Sequence, residues 1–465
     1  MTHDALAEVA EGFRRAGLPP AYPGKTSFIS VRFQALEQLS VIHAPLTFGQ
    51  LSLWRSIQRL PPEVCNLPQI WALPDGASLP SVEQALEALE ERHESLRTRY
   101  EPDGAGGLVQ AIWQPASVCL EPVEGGDDPA RTAEEAAERT AADPFDLVKD
   151  RPWRACVITS QGAPVRLVIC FHHIAVDAWA INQLHREFRV LVDGMRLPEP
   201  APTCRELAAE QWSAARQNRR KSARKFWGEI FQAAPAMERE PGLDGPEGAA
   251  ALSTRWAQLG SEEAAEAANR IADRLEVSPP SVVLAAFCLA VHRRTGRDRL
   301  LVAVYTNNRT DPRWETLVAA QNQVVPLVVA PEPGEDFDTL VRRVHWDSFR
   351  AYRHGAYNVD DVLELGREYG YRGSVNGCFD GSVSGYFRYF FNYLGEYQQE
   401  HTSADRQLRT GTGGRNIGAP FYLQVQDGKA LTCTLRENSV GTGFDEVTGL
   451  LLLLRDIVIA AGGPG

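Results

Sequence analysis

Val165-Arg166-Leu167-Val168-Ile169-Cys170-Phe171-His172-His173-Ile174-Ala175-Val176-Asp177-Ala178-Trp179 reads as a strand followed by the start of a helix. The apolar, β-branched run follows a Gly162-Ala163-Pro164 turn, and Ala, Trp, Ile, Leu and Phe recur at helical spacing through Phe188. His172 and His173 therefore stand where the strand ends. Side chains alternate along a strand, so the two rings point to opposite sides and only one faces a shared cleft. Helical zinc ligands stand at i and i+4 and need further ligands. Here only Asp177 and, further on, His185 follow, so the spacing predicts no metal site. Two readings remain for the pair: core histidines satisfied at a strand end, or a catalytic group with its support. An aspartate four residues after the second histidine favours the latter.

His172, His173, three residues and Asp177 resemble the HHxxxDG signature of the condensation-domain superfamily of nonribosomal peptide synthetases, relatives of chloramphenicol acetyltransferase. Ala178 replaces the usual Gly, and Ala180 stands where many members have Ser. Other segments carry the same resemblance. Thr47, Gly49, Gln50, Leu53 and Trp54 are similar to S-x-A-Q-x-R-x-W, with Ser52 for the Arg; Arg92 to Tyr100 resembles RHExLRTxF, with Tyr for Phe. Pro144-Phe145-Asp146-Leu147 with Pro152-Trp153-Arg154 resembles PFDL...PLxR, and Asn307-Asn308-Arg309-Thr310 a strand-end NRT segment. Leu317 to Leu327 is similar to VGxFxNxLPLR at Asn322, Pro326 and Leu327, and the aromatic run Tyr386 to Tyr393 to a late FxxxFNY strand.

The resemblance implies an α/β fold of two chloramphenicol-acetyltransferase-like lobes in a V, with the active site at their interface. A boundary in the Pro-rich stretch Gly194 to Pro202 gives residues 1–195 as the N-terminal lobe carrying the histidines and 196–465 as the C-terminal lobe. The implied chemistry is acyl transfer from a phosphopantetheine thioester on a peptidyl or acyl carrier protein to an amine or hydroxyl, free or carrier-bound. His173 is expected as general base or positioning group and His172 as structural. Asp177 is expected to hold the loop by pairing with Arg309 across the two halves. No cofactor is expected on the chain itself, since phosphopantetheine is brought by the carrier. Two other classes are compatible: a noncatalytic member recruiting a partner enzyme to a carrier-bound peptide, which tends to lose the second His that this chain keeps, and a coenzyme A-dependent O-acyltransferase sharing HxxxDG.

Composition bounds these readings. The 465 residues exceed one ordinary core, and 44% hydrophobic content can fill two. A formal net charge of −12 excludes the broad positive potential that nucleic acid or a membrane surface requires. Eight scattered cysteines without a CxxC pair suit reduced thiols, and Met1 to Leu18 lacks the apolar centre of a signal peptide, so a cytoplasmic location is expected.

Along the chain, helices are expected over Thr2 to Arg15, Ser78 to Glu94, Ala130 to Ala142, Glu206 to Phe231, Val282 to Val291, Phe337 to Tyr352 and Phe444 to Ala460. Strands are expected within Phe28 to Ile42 and over Leu108 to Trp113 and Leu300 to Tyr305, and a loop over Pro235 to Gly248. Arg92, Glu94 and Arg97 are expected to form a charge network locking a helix end onto the next strand. Arg216, Arg219, Arg220, Lys221, Arg224 and Lys225 make a basic island on an acidic protein. It is either a solvated helix face or a docking patch for an acidic carrier protein.

Overall fold

The computed structural model describes residues 41–463 apart from 59, 105–106, 199, 235–253, 371–386, 396–407, 414–418 and 439–443. The expectations over Thr2 to Arg15 and Pro235 to Gly248, and nearly all of that over Phe28 to Ile42, lie outside these residues. The chain divides into two compact units. The first runs to Arg216 and adds Arg309–Gln321; the second comprises Gln217–Asn308 and the chain from Asn322 onward.

The first unit contains β1 (Ile42–Pro45), α1 (Phe48–Ile57), β2 (Asn66–Ala72), α2 (Leu79–Arg92), β3 (Thr98–Pro102), β4 (Leu108–Ile112), β5 (Pro122–Glu124), α3 (Pro129–Ala142), β6 (Trp153–Ser160), β7 (Ala163–His172), α4 (Ala178–Val192) and α5 (Cys204–Trp212). Strands β2-β7-β6-β5 form one sheet and β1-β4-β3 another. Strand β7 is central, pairing antiparallel with β2 and β6, and its sequence is apolar on both faces because helices cover both. One face, with Leu167, Ile169 and Phe171, packs on Val82, Leu86 and Leu89 of α2 and Ile181, Leu184 and Phe188 of α4. The other face, with Val168, packs on Ala133, Ala136 and Ala137 of α3, whose small residues allow a close approach. Helix α2 starts where the sequence says: Ser78 and Ser81 form a capping box and Pro80 sits in the first turn.

The second unit contains α6 (Gln217–Ala233), β8 (Arg255–Ser261), α7 (Glu262–Leu275), α8 (Pro279–Thr295), β9 (Leu300–Thr306), β10 (Gln323–Val329), α9 (Phe337–Tyr352), α10 (Val359–Glu368), β11 (Tyr389–Tyr393), β12 (Arg409–Thr412), β13 (Phe421–Gln426), β14 (Leu431–Glu437) and α11 (Phe444–Gly462). Its strands form one mixed sheet in the order β10-β9-β11-β13-β14-β8-β12, with β11 parallel to β9 and β13. Helix α8 is apolar all round, Val282 to Cys288 being buried without a break, and α7, α9 and α11 pack against it. No single helix among the described residues is long and apolar enough to cross a membrane.

Two expectations need correction. The helix expected over Glu206 to Phe231 is two helices, because Ser213 turns to extended backbone (ψ 153°) and its hydroxyl donates to the Glu210 carbonyl at 2.7 Å. The division expected at 195/196 falls later, since Cys204 and Leu207 of α5 cluster with Trp314, Leu317 and Ala319 in the first unit. The expectation of reduced thiols holds among the described residues: seven cysteines stand outside any disulfide, six of them buried and Cys119 exposed.

Candidate active site

Cys65, Asn66, Pro152, Arg309 and Gln321, which hold the loop after β7, all lie in the first unit. The strand ends at His172, paired with Asn66 of β2, and its N–H donates to the Pro152 carbonyl at 2.8 Å. His173 begins the turn, its N–H donating to Cys65 O at 2.8 Å. His172 is buried, with its ring edge-to-face on Phe145 at 5.8 Å, whereas His173 is half-buried.

The two imidazoles are held in opposite tautomers. The Ile174 N–H donates to His172 Nδ1 at 3.2 Å, so that nitrogen carries a lone pair and the proton of the neutral ring sits on Nε2. In His173, Nδ1 lies 2.7 Å from the Val176 carbonyl oxygen, which only accepts. The proton is therefore on Nδ1 and the lone pair on Nε2. A neutral His173 can take a proton at Nε2; a neutral His172 can only offer one there.

Asp177 closes the loop. It is the N-cap of α4, its Oδ1 accepting from Ala180 N–H at 2.9 Å, and its Oδ2 accepts from Gln321 N–H at 3.0 Å. Arg309 grips both oxygens, Nη1 to Oδ2 at 2.8 Å and Nη2 to Oδ1 at 3.0 Å, and Nη2 also donates to the carbonyls of Leu317 and Ala319. The side chains of Arg309 and Asp177 are 1% and 4% exposed, so the charges compensate each other away from water. The expected Asp–Arg contact is present, but it stitches one unit rather than two halves, because Arg309–Gln321 returns to the first unit. Trp179, the next residue but one, anchors the same returning segment by donating from Nε1 to Glu315 O at 2.8 Å. Ala178 occupies the first helical position of α4 and has no left-handed backbone, so its methyl group stands where Gly is usual without backbone strain.

Two supports escaped the sequence reading although both stand in quoted motifs. Gln50 donates to the Tyr100 hydroxyl oxygen at 3.2 Å, and that hydroxyl donates to the Ile174 carbonyl at 3.3 Å. Burial raises the Tyr100 phenol well above its usual pKa, so it remains a donor. The phenol that replaces the usual Phe ties the loop to α1. Gly49 does the same sterically. A Cβ there would collide with the Ala320 carbonyl oxygen and lie 2.8 Å from Gln321 Cα.

The charged run at the end of α2 differs from expectation. Its members reach helices, not the next strand: Arg92 and His93 bond Glu187 of α4, at 3.3 and 2.5 Å, and Glu94 receives Arg205 of α5 at 3.0 Å. Arg97 donates back to the carbonyls of Glu90 and Glu91. Deeper in, Glu90 faces Arg151 at 2.7 Å and accepts from Ala116 N–H; burial pushes its carboxyl up to about 7 against the pull of Arg151.

The basic island is largely a packing seam. Arg220 of α6 binds Asp361 of α10 with two nitrogens, at 3.1 and 2.9 Å, and Arg224 binds Glu364 and Glu368 at 3.1 and 2.6 Å. Arg216 pairs with Glu210, and Lys225 lies 3.8 Å from Glu229. Arg219 and Lys221 are exposed. His185, the remaining candidate for a metal set, stacks on Trp71 at 5.0 Å.

An α/β chain with two histidines at the end of a central strand and an arginine-clamped aspartate at the start of the next helix has the layout of a condensation domain. The comparisons agree: the condensation-domain family matches residues 42–412, and the chain belongs to that family. It is 30% identical over 336 residues to the AMB antimetabolite synthetase AmbB of Pseudomonas aeruginosa, covering 71% of this chain and 27% of that one. This chain thus spans about a quarter of that relative. Its fold matches the structure described as the molecular basis for condensation domain-mediated chain release from the enacyloxin polyketide synthase (TM-score 0.70, 21% identity, 98% of this chain and 88% of that). It also matches the condensation domain of the monacolin K polyketide synthase MokA (TM-score 0.74, 17% identity, 91% and 98%).

Proposed function

We propose that this condensation domain is catalytic and transfers an acyl or aminoacyl group from a carrier-protein phosphopantetheine thioester to an amine or hydroxyl acceptor. The observation that carries this reading is the His173 tautomer: Nδ1–H is committed to the Val176 carbonyl, which leaves the lone pair on Nε2. An amine or hydroxyl attacking a thioester must lose its proton as the new bond forms, and a fixed imidazole lone pair takes it without prior reorganisation. The nucleophile then forms its bond to the carbonyl carbon, the C–S bond breaks, and the proton held on Nε2 passes to the departing thiolate. His172 keeps the strand end in register, and Asp177 with Arg309 fixes the loop that carries the Val176 carbonyl; neither moves a proton.

The relatives support the substrate class. AmbB is named a synthetase, and the enacyloxin structure concerns a condensation domain that releases a chain. Carrier proteins loaded with acyl- or aminoacyl-phosphopantetheine, incubated with panels of amines and alcohols and read by intact mass, test the proposal. Acyl loss from the carrier matched by gain on one acceptor is the expected result. A carrier that binds yet stays loaded with every acceptor supports the noncatalytic alternative, and transfer from acyl-coenzyme A alone supports the other.

A further inference from the structure

Helix α9 buries Leu340, Val341, Val344 and Ser348 in the second unit and carries two large aromatics on its opposite face, where polar residues are the rule. Trp346 is 64% exposed and Phe349 is 58% exposed. The two rings meet edge to face at 6.2 Å, and the His345 ring lies against Trp346 at 5.2 Å. Arg342, Arg350 and Arg353 are exposed on the same face. The spacing i, i+4, i+7, i+8, i+11 sets them along one stripe about 16 Å long, three turns of helix. Asp347 lies beside it, paired with Arg350 at 3.0 Å.

Trp and Arg are the residue types most enriched where protein partners bind, and an edge-to-face pair of aromatics this exposed is costly to leave in water. The stripe is cationic on a chain whose formal net charge is −12. That combination selects among occupants. A second copy placed across a two-fold axis would set the arginines against each other. An anionic membrane would meet a protein that is negative overall. An acidic helix with an apolar face satisfies both features, its apolar residues covering Trp346 and Phe349 and its flanking carboxylates meeting the three guanidiniums.

We infer that the Arg342-Trp346-Phe349-Arg350-Arg353 stripe of α9 is a docking surface for an acidic amphipathic helix of a partner protein. The stripe belongs to the second unit and the loop at His173 to the first, and none of its residues enters the catalytic reading, so the two stand or fall independently.

Binding of the full chain to a fluorescein-labelled helical peptide, leucines on one face and glutamates flanking them, tests this by fluorescence anisotropy at two salt concentrations. A Lys-for-Glu version of the peptide is the control. The wild-type protein is expected to bind the acidic peptide, more weakly at high salt, and not the basic one. Replacing Trp346 and Phe349 by Ser, or Arg342, Arg350 and Arg353 by Gln, should each weaken binding about tenfold or more. Both variants keep an unchanged melting temperature, since every altered side chain is exposed; Arg219→Glu with Lys221→Glu leaves affinity unchanged. Failure of the wild-type protein to bind, or equal binding by both stripe variants, overturns the assignment. A concentration-dependent dimer in sedimentation, or binding to phosphatidylserine vesicles, that is lost in the Trp346 and Phe349 variant also overturns it, in favour of a second copy or a membrane.

Discussion

Asp177 and Arg309, 132 residues apart in sequence, meet through two nitrogen–oxygen contacts of 2.8 and 3.0 Å, and the same carboxylate caps α4 and receives the Gln321 amide. One buried ion pair thereby sets the position of the helix start, the loop after the histidines and the returning segment Arg309–Gln321. Removing either partner leaves a buried charge unpaired, a loss of about 3 to 5 kcal/mol. Urea unfolding of Asp177→Asn and Arg309→Ala should show losses of that order. The double variant should lose less than the sum of the two. Additive losses would mean that the pair is not a coupled unit.

Gly49 is the second point at which the returning segment is held. Its lack of a side chain lets the backbone of Ala320 and Gln321 lie against the first turn of α1. Gly49→Ala should push that segment away and cost about 1 to 3 kcal/mol by overpacking. Because Gln321 N–H binds Asp177, acyl transfer should fall as well, with kcat reduced more than KM is raised. A variant as stable and active as wild type would show that the contact is slack.

Glu90 gives stability a pH dependence of known sign. Its folded carboxyl is pushed up to about 7 from 4.5, so between those values the folded state holds a proton that the unfolded state has released. Stability contributed by this group therefore falls as pH rises from about 4.5 to about 7, by roughly 3 kcal/mol at most. Glu90→Gln should remove that slope when urea unfolding of wild type and variant is compared at pH 5, 6 and 7. Parallel profiles would place the Glu90 titration elsewhere.

In the second unit the Arg220–Asp361 pair joins α6 to α10. Arg220→Asp should lower the melting temperature through repulsion from Asp361, and adding Asp361→Arg should recover part of the loss. The partly exposed pair itself is worth about 1 kcal/mol. No rescue by the swapped pair would return these residues to the solvated surface.

What could be read from the sequence was local. β7, the turn at the histidines and α4 follow from a continuous apolar, β-branched run giving way to helical spacing, and the structure makes Asp177 the N-cap before Ala178. The Asp177–Arg309 contact was legible only through the family resemblance, since no local pattern links positions so far apart. The return of Arg309–Gln321 to the first unit was hidden for the same reason. Its apolar Leu317, Val318 and Ala319 read as any buried stretch, and nothing in them says which core they enter. Charged residues misled in a different way. Arg220 and Arg224 look like a surface patch because their partners, Asp361, Glu364 and Glu368, stand on a helix more than a hundred positions later. Glu187, the shared partner of Arg92 and His93, is likewise invisible from the end of α2.

Single-turnover acyl transfer from a loaded carrier protein, compared among wild type, His173→Ala and His172→Ala, tests the catalytic role of His173 most directly. The account predicts that His173→Ala slows transfer by about a hundredfold or more while its melting temperature stays that of wild type, since the ring is half-buried in a turn. His172→Ala should instead melt earlier, its ring being buried against Phe145. Transfer by His173→Ala at the wild-type rate, in the same assay, would contradict the assignment of Nε2 as the base.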